Sequence, residues 1–138
     1  MKKIIIVFSL FFVAMASAQN NVTRVLALMD EQEKSWNNGS IPGFMTYYWN
    51  NDSLMFIGSK GITYGWIKTL DNYLKSYPDK KSMGVLHFKI DSAKELSPDA
   101  IFIIGRWQLI KEKPVGGYFT LLWRKIQGEW RIVADHTS

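Results

Sequence analysis

From Gly84 to residue 138 the chain offers four strand-patterned segments in succession, and this run most narrows the folds open to it. Val85 to Leu96, Ile101 to Lys111, Tyr118 to Ile126 and Trp130 to Thr137 are rich in β-branched and aromatic residues. Ser97-Pro98-Asp99, Pro114 with Gly116-Gly117, and Gln127-Gly128 separate them as turn signals. Connections this short join antiparallel neighbours, because a parallel pair needs a crossover of a dozen residues or more.

The segment before this meander reads mainly as helix. Val22, Val25, Met29 and Trp36 recur at helical spacing, and Asn37-Asn38-Gly39 supplies an ending, which predicts a helix over 22–37. Ser40 is placed to cap a short second helix, with Pro42 and Gly43 in its first turn and Phe44 to Trp49 following. A strand is expected at Leu54 to Gly58 after the turn Asn50-Asn51-Asp52-Ser53, followed by a turn at Lys60-Gly61. A third helix is expected from Trp66 to Ser76, stopped by Pro78. Helices first and a meander afterwards is the order of an α+β fold with helices on one face of a curved sheet.

The first eighteen residues carry a separate message. Lys2 and Lys3 precede the apolar run Ile4 to Val13, and Ala16-Ser17-Ala18 provides small residues before Gln19. This is the three-part layout of a secretory signal peptide, so the expectation is a domain over 19–138 that is secreted or periplasmic. Without residues 1–18 the net charge falls from +5 to +3, since only Lys2 and Lys3 are lost. The basic residues form no block, which argues against a nucleic-acid partner. The apolar run is shorter than the roughly 20 residues that span a bilayer, so no stable membrane insertion is expected after cleavage. With no cysteine, stability must come from the core. Six Trp, eight Phe and six Tyr can build one, or can wall an apolar cavity.

The last hairpin can be registered from the sequence. With Gln127-Gly128 as a two-residue loop, Ile126 opposes Glu129 and pairing runs outward. One face then pairs Trp123 with Ile132, Leu121 with Ala134 and Phe119 with His136. The other pairs Arg124 with Arg131, Leu122 with Val133 and Thr120 with Asp135. Opposed arginines call for water or a partner, so the Trp123 face is assigned to the interior. Alternation in the preceding strand adds Ile101, Ile103, Gly105, Trp107 and Leu109 to that face. His136 is then the one titratable residue pointing in, with an unperturbed pKa of about 6.5 suited to proton transfer or ligand hydrogen bonding. His87 alternates with Lys89 and Asp91 and reads as a surface residue. Two histidines on opposite faces imply no metal, and no cofactor motif is present. Asp52 is a turn residue by default and otherwise a carboxylate at the cavity rim near Tyr47, Tyr48 and Trp49.

With these elements in order, the chain resembles the NTF2-like superfamily, and within it the SnoaL-like and ketosteroid-isomerase-like domains of the DUF4440 group. The resemblance is carried by Gly61-Ile62-Thr63-Tyr64-Gly65-Trp66, by Gly105-Arg106-Trp107, by Gly117 to Lys125, and most of all by Trp130 to Ser138. It implies a cone: three N-terminal helices packed on a strongly curved, mainly antiparallel sheet, enclosing a pocket and often pairing as a homodimer through the outer sheet face. The isomerase pattern uses an aspartate base with a tyrosine and a protonated acid as donors. Asp52 stands as the candidate base and Tyr47, Tyr48 or Tyr64 as the donor. The register places no acid inside on the later strands, which argues against steroid isomerisation.

Three functions follow. The first is binding of a small apolar or aromatic molecule by Tyr48, Tyr64, Trp66, Trp107, Phe119 and Trp123, anchored by His136. The second is a cofactor-independent acid/base enzyme of isomerase, dehydratase or cyclase type, with His136 or Asp52 moving the proton. The third is a dimeric interaction module whose aromatics fill its own cone.

Overall fold

The computed structural model describes the backbone from Lys2 to Ser138 and the side chains from Asn20 onward. The signal-peptide expectation for 1–18 lies outside the residues whose side chains are described. Helix α1 runs Lys2–Asn37, starting well before the predicted 22. Its buried stripe is Val25, Leu28, Met29, Gln32 and Trp36. Gly39, at φ 83°, ends the helix in the left-handed region that Asn and Gly tolerate best.

Ser40 caps α2 (Ile41–Met45) by accepting a 2.9 Å hydrogen bond from the Gly43 amide. A Cβ at Gly43 would stand 2.7 Å from the Ser40 hydroxyl, so glycine keeps that cap open. Strands β1 (Met55–Gly58) and β2 (Gly61–Tyr64) form a hairpin, where sequence indicated only β1. Helix α3 is Trp66–Ser76, as predicted. A further single turn, α4 (Lys80–Met83), is held by a reciprocal Asp79–Ser82 capping box that the sequence reading passed over.

The meander follows as β3 (Val85–Ser97), β4 (Ala100–Ile110), β5 (Val115–Ile126) and β6 (Glu129–Thr137). The six strands lie in the order β2-β1-β6-β5-β4-β3, all antiparallel except β1 on β6. The expected α+β architecture is therefore present, with helices first and a mostly antiparallel sheet after. Gln127 and Gly128 have φ of 51° and 81°, the two left-handed residues of a type I′ hairpin. Gly116 and Gly117 are not a turn. They lie inside β5 opposite Gln108 and Trp107, and a Cβ at Gly116 would meet the Trp107 carbonyl oxygen at 2.7 Å. They are glycines of close approach, which a turn reading misplaces.

Strand β3 is an edge, and α1 covers part of it. Asn37 donates to the Leu86 carbonyl at 3.0 Å and accepts from the Leu86 amide at 2.7 Å. Glu33 accepts from the Phe88 amide at 2.7 Å. Side chains of a helix thus satisfy backbone groups that would otherwise invite another strand.

The β5–β6 register begins as predicted and then departs from it. Trp123 pairs with Ile132, but Leu122 pairs with Ala134, leaving Val133 as the extra residue of a bulge. Beyond it Leu121 faces Asp135, Thr120 faces His136 and Phe119 faces Thr137. The bulge falls where the other edge of β6 changes partner. Ile132 exchanges backbone hydrogen bonds of 2.9 Å with Tyr47 and Trp49, whereas Ala134 onward pairs with β1. Two expectations are reversed as a result: Asp135 points inward and is buried, and His136 points outward and is exposed.

Candidate functional site

The concave face of the sheet, α1, α2 and α3 enclose a cavity of about 530 Å³. That volume is within the range of small-molecule sites. Its walls are largely aromatic. Trp36 meets Phe44 edge-on at 5.1 Å and Tyr77 at 4.9 Å between ring centroids. Tyr73 packs edge-on against Phe44 at 5.5 Å and Phe56 at 5.7 Å. On the sheet side, Phe88 and Phe119 meet edge-on at 5.5 Å. Gly105 makes room for them, since a Cβ there would stand 2.6 Å from Cζ of Phe119.

The polar centre of the cavity is Asp135, only 3% exposed. Its Oδ2 accepts a 2.7 Å hydrogen bond from the Tyr48 hydroxyl, and its Oδ1 accepts a 2.6 Å hydrogen bond from the Thr137 hydroxyl. Burial raises the Asp135 pKa above its ordinary 3.8, against the smaller lowering effects of these two hydrogen bonds and of His136. The Tyr48 hydroxyl is held well above its ordinary 10.0, first by burial and then by the negative charge of Asp135. Tyr73, in the same wall, is raised by the same two causes in the same order. The arrangement is a buried carboxyl group with a raised pKa, beside tyrosines whose own pKa values are raised. Such a group can donate to or accept from a ligand oxygen, and can move a proton.

Two further polar atoms of the lining are buried with no protein partner. Gln32 donates to the Phe44 carbonyl at 3.4 Å, which turns its Oε1 away to an unpartnered position. The indole N–H of Trp107 is likewise unpartnered. Buried polar atoms of native proteins are nearly always paired, so each of these calls for an explanation.

Of the residues expected from sequence, the structure brings Tyr48, Trp107 and Phe119 into the lining. Trp123 is fully buried in the core and is not part of the lining. Trp66 braces α3 against α2 by donating to the Met45 carbonyl at 2.8 Å, and Tyr64 is 57% exposed on the edge strand β2. His136 is outside because of the bulge at Val133. Asp52 is an exposed turn residue whose backbone packs against Gly65, and it does not reach the cavity. The expectation of no inward acid on the later strands is overturned by Asp135. Gln32 was missed, although Val25, Met29, Gln32 and Trp36 follow one helical stripe and a glutamine there is a polar residue in an apolar row. Among the described residues, no group of three or more His, Cys, Asp or Glu lies together as a metal site.

No family model matches the sequence, and no curated protein matches it. Solved structures do. An NTF2-like protein of unknown function from Shewanella oneidensis MR-1 is 42% identical, with a TM-score of 0.80, over 83% of this chain and 95% of that one. A nuclear transport factor 2 superfamily protein from Salmonella enterica is 18% identical, with a TM-score of 0.67, over 88% of this chain and 92% of that one. A ketosteroid isomerase-like protein from Erwinia carotovora atroseptica is 18% identical, with a TM-score of 0.66, over 81% and 90%. The last two share the fold, and the narrower DUF4440 grouping stays a resemblance. With the first relative and the geometry above, the chain belongs to the NTF2-like family.

Proposed function

We propose that this protein binds a small apolar or aromatic molecule bearing an oxygen function, held in the aromatic cone with that oxygen among the buried polar groups of its lining, Asp135, Tyr48 and Gln32. The observation that carries this reading is the buried Tyr48–Asp135 hydrogen bond opening onto a cavity of about 530 Å³. An interaction module with a self-filled cone would have no such space. A thermal-shift screen of steroids, polycyclic aromatics and fatty acids tests it. A ligand at about 100 times its dissociation constant adds roughly 2.7 kcal/mol to folding stability. A hit abolished by Asn72→Trp at the cavity mouth supports the reading, and a panel without any shift sinks it.

A second reading is favoured by the raised pKa of Asp135. A carboxyl group tuned upward in an apolar site can exchange a proton beside a ligand carbonyl without a cofactor. Asp135→Asn separates the two readings. It keeps a hydrogen-bonding side chain and removes the exchangeable acid, so binding should persist while turnover is lost.

The outer sheet face and the first residues support two further proposals. Ile104 and Tyr118 are exposed beside half-buried Phe102 and Leu122, an apolar face suited to a homodimer. Light scattering should give twice the monomer mass, and Ile104→Lys should halve it. Export is supported by the layout of residues 1–18, and an intact mass beginning at Gln19 in material recovered outside the cytoplasm is the expected outcome.

A further inference from the structure

The polar groups of the cavity fall into two sets. The buried set includes Asp135 and Tyr48, joined by their hydrogen bond, Thr69, the unpartnered indole N–H of Trp107, and Gln32, 1% exposed, whose Oε1 is satisfied by nothing in the protein. The exposed set includes Ser59 and Lys60 on the β1–β2 turn, Asn72, Lys75 and Ser76 on α3, and Ser138 just past β6. Here the cavity meets solvent. Among the described residues, neither Lys60 nor Lys75 has an ion-pair or hydrogen-bond partner. Among the described residues, Asp135 is the one Asp or Glu in the lining, and it is buried and engaged with Tyr48 and Thr137. Two unpaired lysines therefore stand at the mouth, the walls are aromatic, and the buried lining carries an acceptor that lacks a donor.

Resting on the binding reading, we infer that the ligand is an amphiphilic organic acid. Its carboxylate sits at Lys60 and Lys75, its aromatic or apolar body fills the cone, and a hydroxyl or N–H at its far end donates to Oε1 of Gln32. Each part meets its physical need. A carboxylate at exposed lysines keeps most of its hydration, so it contributes modest affinity and sets orientation. A buried donor at Gln32 relieves an acceptor that is costly to leave unmade, so it contributes selectivity. The reverse orientation would bury an anion against aromatic walls and leave both lysines and Gln32 unpaired.

Three rigid probes test this by calorimetric titration of the full chain. They are a biphenyl with a hydroxyl at one end and a carboxylate at the other, its methyl ester, and the biphenyl carboxylic acid lacking the hydroxyl. The hydroxy acid is expected to bind best, the ester about fivefold more weakly and the acid without hydroxyl about tenfold more weakly. In the doubly substituted Lys60→Ala, Lys75→Ala protein, whose changes are exposed and leave the core intact, acid and ester should bind alike. Gln32→Leu should erase the preference for the hydroxyl. Equal binding of all three probes, still blocked by Asn72→Trp, would overturn the organic-acid inference and leave the cavity reading standing. Binding that survives Asn72→Trp, or no binding by any probe, would overturn both.

Discussion

The Tyr48 hydroxyl donates a 2.7 Å hydrogen bond to Oδ2 of Asp135, tying the segment after α2 to β6 across 87 positions of chain. Both groups are buried, so competition from bulk water for this bond is weak. Tyr48→Phe should therefore cost about 1–3 kcal/mol of folding stability. Because the bond lowers the Asp135 pKa, its removal should also move that pKa further up. Denaturant melts and a carboxyl-carbon NMR titration read the two effects. Unchanged values in both would mean that the bond is not formed.

The same carboxyl group gives a pH signature. An acid whose pKa is higher in the folded than in the unfolded chain binds more protons when folded. Stability from this group should thus fall as pH rises from about 3.8 through the raised folded value, and stay level above it. Asp135→Asn removes the titration. The difference between wild type and Asp135→Asn should slope against the wild type in that window, and parallel curves would contradict a raised pKa.

His136 and Asp52 should matter little. Both are exposed and neither lines the cavity. His136→Ala and Asp52→Ala should each change stability by no more than about 0.5 kcal/mol and leave any ligand-induced thermal shift in place. Loss of that shift in either variant, with Asp135→Asn unaffected, would return the site to the arrangement expected from sequence.

Gly105 should be hard to replace. A Cβ there would lie 2.6 Å from Cζ of Phe119 and 2.7 Å from the Lys89 carbonyl oxygen. Gly105→Val should cost about 1–3 kcal/mol through overpacking. Part of that cost should be recovered when Phe119→Ala is added, since contacting residues are not additive. Full additivity in a double-mutant cycle would show that the ring does not lie over Gly105.

The four meander strands, helix α3 with its Pro78 stop, and the Gln127-Gly128 hairpin were legible in the sequence because local rules govern them: period-two patterning, turn chemistry and the missing amide of proline. The inner face of β4 and the Trp123–Ile132 pair followed from the same alternation. That logic stopped at Val133. Ile132, Val133 and Ala134 are all apolar, so alternation carries no parity signal there, and a residue slipped into a bulge goes unannounced. Tertiary structure decided the parity. β6 passes from the Tyr47–Trp49 segment to β1 at that point, and the inward position beyond it offers Asp135 a hydroxyl donor from Tyr48, 87 positions away. One extra residue thereby exchanged a histidine for an aspartate as the titratable group inside the cone. Short-range pattern determined which segments are strands, whereas the chemistry of the cavity depended on pairings between segments that no local rule connects.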